Sequence, residues 1–167
     1  NITNEIAGRS VNYNVRENNT LIAPNNSALM RLINEVVTVN SGYPHWPNID
    51  VVPEFIKAII VNAHMSDRTN YKSDLESGFM NGLLDSITIS ESDILEKRYH
   101  SNGVFVGTSE PIVPRAFVSV TAPVYLRPDY STFMYAMERT DILPALKSAE
   151  KEYEYFIIPD IVLSTDS

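Results

Sequence analysis

The segment Pro53–Leu84, PEFIKAIIVNAHMSDRTNYKSDLESGFMNGLL, carries the clearest helical pattern in the chain. Its first part places apolar residues on one wide face of a helix, at Phe55, Ile56, Ile59, Ile60 and Ala63. After a polar break over residues 66–70, apolar residues recur every four positions, at Tyr71, Leu75, Phe79 and Leu83. Because two helices joined by a short polar turn pack as a hairpin, the segment predicts a helical hairpin. We expect this hairpin to be scaffold, since it contains no catalytic motif.

The chain before this segment divides into an arm, a helix and a loop. Residues 1–26 are rich in Asn, Ser and Thr, which predicts an extended polar arm with a strand over residues 10–15. A capping Asn or Ser at 26–27 and the apolar positions up to residue 37 predict a helix that ends near residue 40. The loop SGYPHWPN at 41–48 follows, and its aromatic positions are candidate protein contacts: Tyr43, His45 and Trp46. Trp46 could alternatively fold back to cover a helix end, because large aromatic side chains are usually buried.

The pattern changes after residue 99. The run from Ser90 to Tyr99 predicts a short helix, and Asn102-Gly103 then gives a tight-turn signal. Alternating and β-branched runs predict strands, with helical spacing between them, in the following ranges: strands at 104–106, 116–120, 124–126, 153–158 and 161–163, and helices at 130–137 and 141–151. The sequence therefore predicts an α+β fold, with a single domain over 27–167 that is helical over 27–99 and strand-rich over 102–167.

Composition excludes several classes of function. The formal net charge is -8 and the basic residues are scattered, which argues against a surface that reads nucleic acid. The chain has no cysteine, so a disulfide-stabilised secreted scaffold is excluded, and its three histidines lack the spacing of a metal site. Phosphate-binding loops and the GxSxG elbow are absent, and no apolar run is long enough to cross a membrane. We therefore expect a soluble protein that uses no metal and no cofactor.

Two short stretches suggest an alternative enzymatic function. VFVGTS at 104–109 is a predicted strand that ends in a hydroxyl pair, and EKEYEYFIIP at 150–159 contains Glu-x-Glu. Over residues 104–163 this arrangement resembles the second half of mono-ADP-ribosyltransferases. The resemblance implies NAD as the bound substrate, with the following roles: Glu154 on the nicotinamide ribose, Glu152 as its partner, and Thr108 and Ser109 as the hydroxyl pair. Gly107 stands where that family has Ser, and the family's Arg has no match. Glu-Tyr-Glu-Tyr is also what an amphipathic strand with charges towards water and aromatics towards the core looks like, and we favour that interpretation.

The other resemblance concerns the helical half. Residues 28–86, with PEFIKAII, the polar Asp67-Arg68 turn and a second predicted helix, are similar to the helical core of tailed-phage head–tail adaptor proteins. That resemblance implies a subunit that assembles in rings through extended arms. Together with the polar arm and the lack of catalytic motifs, it favours a non-enzymatic structural or interaction subunit of a virus or phage particle. We expect protein partners, most simply further copies of the same chain, and a location in the virion or the cytoplasm.

Overall fold

The structure is a computed structural model. It describes residues 2–6, 9–13, 18–38, 46–140, 142, 146, 153–154 and 156–163. The strands are β1 Ile2–Ile6, β2 Arg9–Tyr13, β3 Asn19–Pro24, β4 Met65–Ser66, β5 Phe79–Met80, β6 Ser86–Ile87, β7 Ile94–His100 and β8 Gly103–Thr108. The α-helices are α1 Asn26–Leu32, α2 Glu54–Ala63, α3 Lys72–Ser77, α4 Ala122–Leu126, α5 Ser131–Glu138 and α6 Asp160–Leu163. The predicted α+β class is confirmed.

The largest described sheet has four strands and is mixed, with the strand order β4-β3-β8-β7. β3 and β8 are parallel, and β4 and β7 each pair antiparallel to their neighbour. The predicted tight turn at Asn102-Gly103 is confirmed, since it connects β7 to β8. Gly103 has φ +149°, and a Cβ there would lie 1.9 Å from the carbonyl oxygen of Asn19 on β3. Only glycine therefore allows β3 to approach β8 at this point.

The apolar side chains form two cores. The helical core contains Leu32, Val37, Val52, Ile56, Ile60, Ala116, Phe117, Val124, Tyr125, Leu126, Met134, Met137 and Leu146. The sheet core contains Ile22, Leu75, Phe79, Ile89, Val104 and Val106. The predicted first helix of the hairpin is confirmed as α2, because its predicted stripe supplies Ile56 and Ile60 to the helical core. Pro53 precedes α2, and its carbonyl accepts the first turn's N–H bonds from residues 56 and 57.

The second helix of the predicted hairpin is wrong beyond residue 77. α3 ends at Gly78, whose φ of +111° is one that L side chains rarely adopt. The chain then forms the short hairpin β5–β6 instead of another helical turn. Leu75 and Phe79 are nevertheless buried, in the sheet core. Their four-residue spacing comes from a helix followed by a strand and not from one continuous stripe.

The helix predicted from Ser90 to Tyr99 is also wrong. A single 3-10 turn covers Glu91–Asp93, and the following residues form β7. Leu, Glu, Lys and Arg at positions 95–98 are good helix formers. The hydrogen-bonded partner strand β8 overrides this local preference, since strand propensity depends on context.

The predicted strand-rich character of residues 102–167 holds only for β8. In the described residues after Thr108 the regular elements are helices. The predicted strand at 116–120 is a 3-10 turn, Arg115–Phe117, and the one at 124–126 is α4, which has Pro123 in its first turn. Residues 161–163 lie in α6, and the described residues of 153–158 form no strand. The helix predicted near 130–137 is confirmed as α5, and the one predicted over 141–151 lies largely outside the described residues.

The last residues of the predicted arm lie in the four-stranded sheet. Residues 19–24 form β3, a central strand of the sheet, so they belong to the domain and not to an arm. Among the earlier residues, β1 and β2 pair antiparallel, and β2 overlaps the strand predicted over 10–15. The predicted helix after the arm is confirmed as α1, which a π-helical turn, Ile33–Val37, extends. Its cap is Asn25, whose side-chain oxygen accepts the N–H of Ala28 at 2.9 Å.

Candidate functional site

The predicted hydroxyl pair lies at the end of β8. Thr108 is buried, and its Oγ1 donates a hydrogen bond to the carbonyl oxygen of Glu110 at 2.8 Å. Ser109 Oγ donates to the carbonyl oxygen of Asp93 at 3.3 Å. Both hydroxyls therefore satisfy backbone carbonyls that follow or precede the β7–β8 pair. These bonds fix the chain where the sheet ends, which is a structural role.

Glu154 lies in a different environment. It is exposed, and with Tyr153 and Phe156 it lines an open cleft of about 450 Å³. Val120 and Pro123 also line this cleft. Glu152 lies outside the described residues. No contact among the described residues brings Glu154 to the hydroxyl pair, so the NAD site stays a prediction.

The aromatic loop is described only at Trp46, since Tyr43 and His45 lie outside the described residues. Trp46 is half-buried and packs against the helical core. Its Nε1 donates a hydrogen bond to the carbonyl oxygen of Tyr125 at 3.1 Å. The indole therefore packs against its own chain. This position agrees with the alternative prediction, in which Trp46 folds back to cover a helix end.

His64 has a structural position at the end of α2. Its Nδ1–H donates to the carbonyl oxygen of Ile60 at 2.7 Å, and its Nε2 accepts the N–H of Ile112 at 2.9 Å. This pair of bonds requires the neutral ring, and burial lowers the pKa of His64 from its ordinary value. In the part of the chain that the structure describes, no three His, Asp or Glu side chains are grouped to hold a metal ion. None of the helices described there is long and apolar enough to span a membrane.

An exposed apolar segment lies at residues 156–163. Five of its eight residues are large apolar side chains with high exposure: Phe156 at 93%, Ile158 at 48%, Ile161 at 73%, Val162 at 53% and Leu163 at 45%. Isolated exposed apolar residues are common, but contiguous apolar patches of this kind are typical of protein contact sites. The segment also forms one wall of the cleft that Val120 and Pro123 line.

A capping interaction holds this segment on the domain. Asp160, in the first turn of α6, accepts hydrogen bonds from the Ser131 hydroxyl and from the Thr132 backbone N–H, the latter at 3.0 Å. Both donors lie in the first turn of α5, where a carboxylate is favourable. Burial acts to raise the pKa of Asp160, and the hydrogen bonds from Ser131 and Thr132 outweigh it, so this pKa lies below its ordinary value. These contacts attach the first turn of α6, and with it the exposed segment, to the start of α5.

Comparison of the chain with protein-family models, with curated proteins and with solved structures finds no match. The resemblances to ADP-ribosyltransferases and to head–tail adaptors therefore stay predictions.

Sequence reasoning missed the exposed segment as a candidate contact. The runs FII at 156–158 and IVL at 161–163 were predicted to lie in strands, and their exposure was not considered. Pro159 followed by Asp160 is a helix-start signal that favours the observed α6. Exposure itself has no local signature, because a run of apolar residues is the same whether the fold or a partner covers it.

Proposed function

We propose that this protein is a non-enzymatic structural or interaction subunit that assembles with further copies of itself, in a virus or phage particle or a comparable assembly. The observation that carries the proposal is the exposed apolar segment 156–163. The resemblance of residues 28–86 to head–tail adaptors supports the kind of assembly.

Burial of this segment would supply a driving force for association. Covering a Phe or Ile side chain contributes about 1.5–3 kcal/mol. Several such side chains together can exceed the entropic cost of association, provided that they are held in one arrangement. The Asp160 contacts with Ser131 and Thr132 provide that arrangement. The neighbouring cleft, lined by Val120 and Pro123, could receive an apolar side chain of the partner.

The test is the mass of the full chain in solution, measured by sedimentation equilibrium and native mass spectrometry over a range of concentrations. We expect an oligomer, and we expect Phe156→Ser with Ile161→Ser to weaken its association by about a hundredfold, since two buried side chains are lost. Leu84→Ser is the matched control, because Leu84 is 76% exposed but lies outside the segment. A monomer at every concentration would overturn the proposal, and an oligomer that the paired substitution leaves unchanged would overturn the role of segment 156–163 in it.

A further inference from the structure

The free edge of the sheet at β7 is a second surface with a specific charge pattern. β7 is the last strand in the order β4-β3-β8-β7, so its outer side has no partner strand among the described residues. Most of its residues are exposed, and its pairing with β8 is regular from Glu96 to His100. An edge strand turns alternate N–H and C=O groups outward and is a template for another strand. Proteins usually block such edges with an outward-pointing charge, especially a lysine.

The lysine on this edge does not block it. Lys97 Nζ lies 5.4 Å from the centre of the ring of Tyr99, two residues further along the same strand. That ring stacks on Tyr71, with 6.5 Å between centroids and 29° between planes. Nζ is inaccessible to solvent and has no hydrogen-bond partner among the described residues. The ammonium is held by a cation–π contact, which leaves the outer side of β7 open.

The exposed charges of β7 are self-complementary. Glu96 and Arg98 lie on one face of the strand, 43% and 67% exposed, and pair with each other at 2.7 Å. If a second β7 lies antiparallel about a two-fold axis at Lys97, Glu96 of each copy stands opposite Arg98 of the other. Directly opposite charges of opposite sign stabilise a strand pair.

The neighbouring two-fold registers lack this match. An axis at Glu96 sets Glu96 opposite its own copy, and an axis at Arg98 sets Arg98 opposite its own copy. Both put exposed like charges together, which is unfavourable. The axis at Lys97 places one like-charge pair opposite each other, Lys97 and its own copy. The ammonium of Lys97 already lies over the Tyr99 ring.

We propose that β7 pairs antiparallel with β7 of a second copy, in the register centred on Lys97, and so joins two sheets into one continuous eight-stranded sheet. This inference rests on the proposed function, because it names the partner of one surface of an assembling subunit. The apolar segment 156–163 is a different surface, so the two contacts can be tested separately.

The absence of cysteine from the chain allows a direct test of the register. Directly opposite residues in an antiparallel pair have Cα atoms about 4.5–5.5 Å apart, which is within the range of a disulfide. We expect the Lys97→Cys chain to form a disulfide-linked dimer under mild oxidation, about tenfold above the background of a Leu84→Cys chain. Glu96→Cys and Arg98→Cys chains should cross-link when mixed, and neither should cross-link alone. Thermal unfolding of each chain verifies that it is folded.

A charge reversal provides a second measurement that needs no cross-link. Glu96→Arg should weaken association about tenfold, since two like-charge pairs form in each dimer. Adding Arg98→Glu to that chain should restore association, because every pair is again of opposite sign.

The outcomes separate this inference from the proposed function. An oligomer in which the Lys97→Cys chain does not cross-link, or in which Glu96→Cys or Arg98→Cys cross-links alone, overturns the β7 register and leaves the proposed function standing. A monomer in every measurement removes both. The expected Lys97→Cys dimer, together with association that Phe156→Ser with Ile161→Ser leaves unchanged, supports the β7 pair and overturns the role of segment 156–163.

Discussion

The helical core and the sheet core are held together in different ways. The helical core consists of side chains that pack by shape, with Ile56 and Val124 fully buried at its centre. In the sheet region, the buried polar side chains are Thr20, His64, Ser66, Asn70, Asn81, Asp85 and Thr108. Three of them bond to backbone groups far along the chain: Thr20 to Arg68 and Asn70, Asn81 to Ala63, and His64 to Ile112. Thr121 is the one buried polar side chain that the described helical part adds to these. Apolar packing tolerates adjustment, whereas a buried polar group needs its partner. The two regions should therefore fail under different substitutions.

The largest expected effect is loss of packing in the helical core. Ile56→Ala should lower the free energy of unfolding by about 3 kcal/mol, because it leaves a cavity at a fully buried position. Chemical denaturation of the two chains measures the difference. Val61→Ala on the same helix is the control, since Val61 is 55% exposed and its truncation should cost less than about 0.5 kcal/mol. Equal costs at both positions would contradict the position assigned to α2.

Loss of a polar link in the sheet region should cost less. Thr20 Oγ1 donates to the carbonyl oxygen of Arg68 at 2.7 Å and accepts the N–H of Asn70 at 2.9 Å. Thr20→Val keeps the shape but leaves both backbone groups without this partner, at a cost of about 2 kcal/mol. Denaturation of Thr20→Val beside the exposed control Thr88→Val measures it. A neutral Thr20→Val would mean that packing alone holds the sheet region.

The polar link through His64 should make the sheet region sensitive to pH. Burial lowers the pKa of His64 in the folded chain, so the unfolded chain binds a proton more readily. The stabilisation by the neutral ring is complete above the ordinary pKa of 6.5 and is lost as the pH falls from there towards the folded-state pKa. Stability measured at pH 5 should thus be lower than at pH 7.5. His64→Gln should reduce this difference, and the control His100→Gln, on exposed β7, should retain it.

The smallest expected effect is a gain in the free energy of unfolding. Leu84 has φ +60°, a left-handed conformation that costs a leucine about 1 kcal/mol. Leu84→Asn should raise the free energy of unfolding by about 0.5–1 kcal/mol, because Asn adopts this conformation more readily and the exposed leucine side chain contributes little burial. Thermal unfolding measures the gain, with Leu84→Ala as the control that should not show it. A loss of stability on Leu84→Asn would contradict the strain.

The contrast between the two cores also explains what the sequence could predict. The periodicity of α2 and α5 and the Asn102-Gly103 turn were sufficient to predict those elements, because their signals are local. The sheet could not be predicted in the same way, since β3 finds its partner in β8 and Thr20 finds its partners at Arg68 and Asn70. β7 was predicted as a helix because its residues favour one until β8 is beside them.

The candidate surfaces were harder still to predict. The predicted contact Trp46 is half-buried and bonds to its own chain, while the segment from Phe156 onward, which was predicted to form strands, is exposed. Apolar residue types predict that a side chain will be covered, but they do not distinguish the fold from a partner. The self-complementary order of Glu96 and Arg98 is visible in the sequence, yet it acquires meaning only when β7 is known to be an edge.

The parallel pairing of β3 with β8 has a consequence for how the chain folds. Asn19 pairs with Gly103 and Pro24 with Thr108, so this central pair joins segments from opposite ends of the first two thirds of the chain. Contacts of such wide separation form slowly, because a long loop must close before they can contribute. During synthesis β3 leaves the ribosome well before β8 has been made. Until then Ile22 stays exposed, without the neighbours that later bury it. We expect closure of this pair to be a late and rate-limiting event in folding.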